Sequence, residues 1–172
     1  LAKLLHDNKN QNLNSDQVKY ASVIHSAGSD LLQLINELLD LAKIESGKVE
    51  LNYERIVTKD FLHNIENLFV TTAEEKGIAF QIATDTHIPD QFISDEYRLE
   101  QVLKNFLSNA FKFTDKKGSV TLAVQAVNEH LKFIVSDNGK GISEEKQQLI
   151  FEAFRQEDGS TSRKYGGTGL GL

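Results

Sequence analysis

Apolar residues recur at helical steps in three stretches of the chain, and the first is the widest. Over residues 15–45, Ala21, Ile24, Gly28, Leu31, Ile35, Leu38 and Ala42 alternate three- and four-residue steps as an uninterrupted heptad seam. Tyr20, Ala27, Leu34 and Leu41 flank it, and so do Val18, His25, Leu32 and Leu39. Three adjacent apolar rows are too wide for a two-stranded coiled coil and suit a helix of a four-helix bundle. One chain offers a single helical hairpin, so the bundle implies a dimer. Asn14 and Gln17 have capping-box spacing and Gly47 supplies the stop. About 31 helical residues give a rod of roughly 46 Å. Before it, Leu1–Leu5 read as the end of another helix, and His6–Ser15 as a polar, Asn-rich turn.

The second stretch runs from Thr58, a residue able to cap, to about Lys76, with Phe61, Ile65, Leu68 and Phe69 inward and Gly77 ending it. Ile78, Phe80 and Ile82 then alternate as a strand. The third stretch, from about Asp95 to Phe113, has Ser94 as its expected N-cap. Leu99, Val102, Leu103, Phe106, Leu107 and Ala110 share one of its faces. Two alternating segments, 119–127 and 130–136, follow around Asn128–Glu129 and predict a hairpin. Helices and a mostly antiparallel sheet, segregated in this way, indicate a two-layer α+β domain. The expected division is a helical hairpin over 1–46, a linker and first strand over 47–57, and the α+β domain over 58–172.

Composition narrows this further. The 172 residues are 40% hydrophobic and 26% charged, as in a soluble globular chain. A net charge of −6 without a basic patch excludes a nucleic-acid partner. The lack of Cys excludes disulfides, thiol catalysis and Cys-based zinc sites. No 18-residue apolar run and no signal peptide is visible. Met is also missing, so the chain is expected to be a piece of a longer protein.

Candidate chemistry begins on the third helix. Gln101, Asn105, Ser108, Asn109 and Lys112 form a polar stripe. Asn and Ser are mediocre helix formers, and Lys and Glu would solvate such a face at lower cost. The stripe reads either as a solvated face or as neutral amides plus a cation lining an anionic ligand. An amide oxygen can ligate Mg²⁺ while the ion keeps waters and phosphate oxygens. Asp137–Ile142 (DNGKGI) reads as an Asn-Gly turn, or as a strand-end carboxylate that accepts from an exocyclic amine beside a glycine-lined ring pocket. Ser143-Glu144-Glu145 after it looks like a helix start. Phe151–Phe154 (FEAF) reads as core aromatics on a short helix. Gly166–Leu172 (GGTGLGL) reads as a linker, or as a loop whose amides wrap phosphates. Arg155–Tyr165 is polar and aperiodic, as a mobile lid would be.

Taken together, Asn105–Thr114 (NFLSNAFKFT), Asp137–Ile142, Phe151–Phe154 and Gly166–Gly171 resemble the N, G1, F and G2 boxes of sensor histidine kinases, in that family's order. Leu38–Val49 (LLDLAKIESGKV) resembles its junction between dimerisation hairpin and catalytic domain. The resemblance covers nearly the whole chain. It implies a two-layer α/β sandwich of the Bergerat (GHKL ATPase) type, preceded by an antiparallel helical hairpin of a dimeric four-helix bundle. It further implies ATP and Mg²⁺ as cofactors, a response regulator receiver domain as partner and a cytoplasmic setting. No membrane contact is expected from this part of the protein.

Residue by residue, Asn109 resembles the Mg²⁺ ligand, with Asn105 one turn before it, and Lys112 the phosphate-contacting lysine. Asn105 and Lys112 are the positions implied for catalysis. Phe113 resembles an aromatic beside the nucleotide. Asp137 resembles the adenine reader, with Gly139, Gly141 and Ile142 around that pocket. Phe154, Arg163, Gly167, Thr168, Gly169, Leu170 and Gly171 match the lid side of the nucleotide site.

Two departures stand out. The phosphoacceptor His of a His-Glu-type box is not present, and by register the chain starts shortly after it. The family fold also continues past Leu172. His6-Asp7 resembles the His-Asp box of another kinase branch, but a turn follows at once where that branch has a full helix. His25 reads as a bundle-packing histidine, and His63, His87 and His130 as surface.

The implied activity is transfer of the ATP γ-phosphate to a histidine, for relay to a response regulator Asp. The rival is a GHKL-type ATPase acting as a conformational machine, resembling gyrase or mismatch-repair ATPases. Those resemble a pattern with Glu where Asn105 stands, and hydrolysis needs a carboxylate to activate water. A degenerate nucleotide-binding dimer scaffold is the third reading.

Overall fold

The computed structural model describes residues 1–9, 11–47 and 50–147, and the chain divides into two compact units, Leu1–Glu50 and Leu51–Leu172. In the first unit, α1 (Ala2–Asp7) and α2 (Ser15–Glu45) pack against each other. α1 extends two residues beyond the expected Leu5, so His6 lies in its last turn rather than in the connection. Asn8 stops it in the left-handed region at φ 38°. The Asn8 side chain then accepts from Leu13 N–H and donates to Leu13 C=O, which closes the loop.

α2 starts with a complete capping box. Asn14 Oδ1 accepts from Gln17 N–H at 2.9 Å, and Gln17 Oε1 accepts from Asn14 N–H at 3.0 Å. Gly47, at φ 64°, follows its C-terminus. Of the heptad seam only Ala21 is buried within the chain. Ile24, Leu31, Leu32, Ile35, Leu38 and Leu39 are each 45–64% exposed. The side chains of Leu34 and Leu41 lie outside the described ones.

The second unit opens with β1 (Glu54–Val57), which runs directly into α3 (Thr58–Lys76). β2 (Ala79–Thr84), β3 (Gln91–Ser94) and α4 (Glu96–Phe113) follow, then β4 (Ser119–Val127), β5 (His130–Asp137) and α5 (Glu144–Gln147). β1 and β3 form an antiparallel pair. The larger sheet has the order β2-β4-β5. Its β4–β5 hairpin is antiparallel and turns at Asn128, φ 55°. The β2–β4 pair is parallel, a mixed element that the sequence pattern did not indicate, while the other two strand pairs are antiparallel as expected. Between β2 and β4 the chain passes through β3 and α4 and returns to the end from which β2 started, as a parallel pair requires.

α3 and α4 cover one face of this sheet. The core is built from Phe61, Leu62, Ile65, Phe69 and Ala73 of α3, Leu103, Leu107, Ala110 and Phe111 of α4, and Val120, Leu122 and Val124 of β4. Those three β4 residues are wholly buried, so the middle strand is the floor of the domain. Phe69 stacks on Phe111 with ring centres 5.5 Å apart, and Phe80 meets Phe111 edge-on at 5.3 Å. Phe61 sits edge-on to both Phe92 and Phe133.

Four sequence expectations change in this unit. Leu68 is 46% exposed and Leu62 takes its place inward, because the buried stripe of α3 follows Thr58, Leu62, Ile65, Phe69 and Ala73. On α4 the stripe is turned toward Phe111, which leaves Val102 and Phe106 at 49% and 41% exposure. The N-cap of α4 is Asp95 rather than Ser94. Ser94 is committed to pairing with Glu54, whereas Asp95 Oδ1 accepts from Arg98 N–H at 2.9 Å. Thr58 is not a cap either, since Val57 holds that position. The buried Thr58 hydroxyl instead donates to Pro89 C=O at 2.6 Å, while Thr58 N–H donates to Asp90 C=O.

Asp95 does a second job. Its Oδ2 accepts from Asn52 N–H at 3.0 Å, tying the segment before β1 to the start of α4. The Arg98 and Asn52 amides hold the Asp95 carboxyl below the usual carboxylate range.

Two outcomes follow from these tethers. Thr58→Val keeps the shape but leaves Pro89 C=O unpaired, and urea unfolding should register a loss of about 1–3 kcal/mol; an unchanged midpoint would remove the tether from the account. For Asp95, the folded pKa is depressed, so its contribution is present above the ordinary value of 3.8 and is lost as the pH falls through the folded value. The stability gap between the unsubstituted chain and Asp95→Asn should therefore narrow below about pH 4. A gap that is constant with pH would mean the ionised form is not what matters.

Candidate functional site

The core fixes how α4 is rolled about its axis. With Leu103, Leu107, Ala110 and Phe111 packed inward, Asn105, Asn109 and Lys112 lie on the half-buried flank and Ser108 in solvent. Gln101, the fifth member of the polar stripe, accepts from Arg98 Nη1 at 3.1 Å. Glu100 and Lys104 pair one turn apart on the same helix. Asn105 and Asn109 are one turn apart, and Lys112 stands in the last turn.

The end of α4 meets the loop that leaves β5. Lys140 N–H donates to Phe113 C=O at 3.2 Å. A Cβ at Gly139 would come within 2.3 Å of that same carbonyl oxygen, so only glycine fits there. The close neighbour of this glycine is the Phe113 backbone. Gly141 follows at φ 69°, with open space where a Cβ would stand, so its requirement is conformational.

Asp137 is the last residue of β5, paired opposite Val120. Its Oδ1 accepts from Gly139 N–H at 2.9 Å, which orients the exposed carboxylate. Asn138 continues the ladder beyond the strand, its Oδ1 accepting from Ser119 N–H at 2.7 Å. A Cβ at Gly118 would press on both Asn138 Oδ1 and the Thr114 methyl. The loop is thus locked to β4 on one side and to α4 on the other. Ile142 lies just beyond it, 43% exposed, before α5.

Charge gathers at this junction. The Lys112 and Lys140 ammoniums lie 5.3 Å and 4.8 Å from the centre of the Phe113 ring. Lys76, at the end of α3, donates to Phe111 C=O at 2.9 Å. Burial pushes the Lys112 ammonium below its ordinary value, and the charges on Lys140 and Lys76 push it the same way. Residues 76, 112 and 140 are too far apart in sequence for spacing to reveal this group.

The structure therefore brings Asn105, Asn109, Lys112, Phe113, Asp137, Gly139 and Gly141 to α4 and the loop that meets its end. Phe154, Arg163, Gly167, Thr168, Gly169, Leu170 and Gly171, with the lid read over Arg155–Tyr165, lie outside the described residues. The histidines are elsewhere. His63 lies 3.9 Å from Glu66 and His87 lies 3.6 Å from Asp85, both pairs well exposed. His6 and His25 face each other across the hairpin at 6.5 Å between ring centres. Among the described residues no group of three His, Cys, Asp or Glu could hold a metal ion, and no helix is long and apolar enough to cross a membrane.

Comparison with known proteins bears on the same segments. Residues 94–172 match the family of histidine kinase-, DNA gyrase B- and HSP90-like ATPases, and residues 1–47 match the His Kinase A (phospho-acceptor) domain. The circadian input-output histidine kinase CikA of Synechococcus elongatus is 41% identical over 93% of this chain. The autoinducer 2 sensor kinase/phosphatase LuxQ of Vibrio vulnificus is 37% identical over all of it. The chain spans 21% and 20% of those two proteins, about a fifth of their length. Full-length ShkA, solved in complex with AMPPNP, superposes with a TM-score of 0.78 at 34% identity, over 99% of this chain and 34% of that one. With both domain families matched in order and relatives of this kind along its whole length, the chain belongs to the sensor histidine kinases.

Proposed function

We propose that the second unit binds Mg²⁺–ATP and presents the γ-phosphate to a histidine of the phospho-acceptor helix. One observation supports this reading: the end of α4, the helix that carries the amide stripe, and the loop that follows Asp137 are docked through the Phe113 carbonyl. The adenine amine donates to the Asp137 carboxylate, which the Gly139 N–H holds in place. Lys112 meets phosphate as a point charge. Burial and, after it, the charges on Lys140 and Lys76 lower its pKa, and a bound anion would favour its charged form.

Asn109 would hold Mg²⁺, with Asn105 beside it. The donors are neutral amides, which suits an ion that keeps most of its waters and phosphate oxygens. Bound Mg²⁺ would supply charge neutralisation on the polyphosphate. In the transfer step, imidazole Nε2 bonds to the γ-phosphorus as the bond to the β,γ-bridging oxygen breaks, and ADP leaves. Imidazole needs no strong base for this, so positioning and electrostatics dominate. Asn105 accepts no proton and cannot activate water, which favours transfer over hydrolysis.

The exposed apolar rows of α2 support homodimerisation through the hairpin into a four-helix bundle. A response regulator receiver domain is the proposed acceptor of the relayed phosphate, at a cytoplasmic location.

Two experiments test the reading. Given γ-labelled ATP, Mg²⁺ and a histidine-bearing phospho-acceptor helix of the family, the chain should place acid-labile, base-stable label on that helix. Release of free phosphate without label would identify a hydrolase instead. The second is a fluorescent-ATP titration with Mg²⁺ and with EDTA. Asn109→Ala should weaken Mg²⁺–ATP roughly tenfold to over a hundredfold, the size of a bond to a charged group, and leave the EDTA titration unchanged. Asp137→Ala should weaken both. Equal loss in both titrations for Asn109→Ala would make Asn109 a packing residue.

A further inference from the structure

β5 ends at Asp137, opposite Val120, and the rung after it is made partly by a side chain. Asn138 N–H donates to Ser119 C=O at 3.3 Å, as the next residue of an antiparallel strand would. The return bond from Ser119 N–H goes to the Asn138 side chain, to Oδ1 at 2.7 Å. The side-chain amide thus stands in for a backbone carbonyl. Both polar groups of the Ser119 backbone are tied, and the chain after Asn138 turns toward Phe113, where Lys140 N–H is bonded and Gly139 is packed. Gly118 makes room for the exchange, since a Cβ there would come within 2.8 Å of Asn138 Oδ1. Asp137 therefore sits one residue before the last fastened rung. Its Oδ1 accepts from Gly139 N–H at 2.9 Å on the far side. Of these two neighbours, Asn138 is the one that holds the backbone beside the carboxylate to β4.

We propose that Asn138 is a positioning residue for adenine recognition: by closing the Ser119 rung it holds the Asp137 carboxylate in the orientation that meets the exocyclic amine, and so sets the preference for adenine. This rests on the nucleotide reading above and adds to it the residue that makes the carboxylate selective. A hydrogen bond to one amine weakens steeply as its angle opens, whereas the other contacts of a nucleotide do not depend on how Asp137 is turned. Loss of the Asn138 bond therefore costs selectivity for the amine and spares the rest of the binding. The bond is exposed to water, so the effect is that of one net hydrogen bond. The alternative is an Asn that secures the end of the hairpin and leaves the base contact untouched.

ATP and its analogue without the exocyclic amine, purine riboside triphosphate, separate these cases in competition against fluorescent ATP with Mg²⁺. The ratio of their affinities measures what the amine contributes. Asn138→Ala should shrink that ratio about two- to tenfold and leave the affinity of the analogue unchanged. Asn138→Asp keeps the shape and an acceptor oxygen for Ser119 N–H, and it should keep the ratio, because its added charge acts on both triphosphates alike. A loss in Asn138→Asp equal to that in Asn138→Ala would mean that the acceptor is not what matters, and the proposal is wrong. It is also wrong if Asn138→Ala lowers the melting temperature while the ratio stays, or weakens both triphosphates equally. Asp137→Ala is the reference and should remove the preference. If it does so while Asn138→Ala keeps the ratio, only this proposal fails. If Asp137→Ala keeps the preference, or the unsubstituted chain has none, Asp137 does not read the amine, and the nucleotide pose proposed above falls together with this one.

Discussion

The carbonyl of Phe113 is the point on which the second unit's architecture turns. It ends α4, accepts the Lys140 N–H, and sits where any side chain at Gly139 would have to go. Through that contact the last turn of a helix and the last residue of a strand are held a few ångströms apart. α4 reaches this place because Phe111, two residues earlier, is buried between Phe69 and Phe80. Lys76 fastens the same turn from α3. Burial sets the roll of the helix, and hydrogen bonds set where its end docks.

The polar stripe of α4 is a by-product of that packing. Leu103, Leu107, Ala110 and Phe111 must face Val120, Leu122 and Val124 to close the core. Residues 105, 109 and 112 then fall on the flank, half-buried, where amides replace the long charged side chains a solvated helix would carry. A site built this way is stiff, since moving Asn109 requires moving the core beneath it. The loop after β5 is stiffened differently, by Asp137, Asn138 and Gly139 each bonded or packed to a neighbour.

The first unit follows another logic. Among the described residues its long helix leaves nine large apolar side chains 45–64% exposed, Ile24, Leu31, Leu32, Ile35, Leu38 and Leu39 of the apolar rows included. Asn14, Gln17 and Asn8 fix where the helix starts and how the chain enters it. Local signals therefore define the rod, and its apolar rows define a need for partners that one chain does not meet.

Local chemistry alone was enough to place most elements. The capping box at Asn14 and the glycines at 47 and 77 are short-range signals: the helix over 15–45 begins at the first and ends before the second, and the helix over 58–76 ends at the third. Periodicity likewise marked the polar stripe and the β4–β5 hairpin. Pairings between distant segments were not legible. Nothing in the sequence near Ser94 says that β3 will pair it with Glu54 and pass the cap to Asp95. Nothing near Thr58 points to Pro89, thirty-one residues away. The parallel β2–β4 register, the exchange of Leu68 for Leu62, and the meeting of Lys76, Lys112 and Lys140 are likewise products of assembly. The physical reason is common to them all: caps and helical steps depend on residues within one turn, whereas burial and cross-strand contact depend on which surfaces the whole chain brings together.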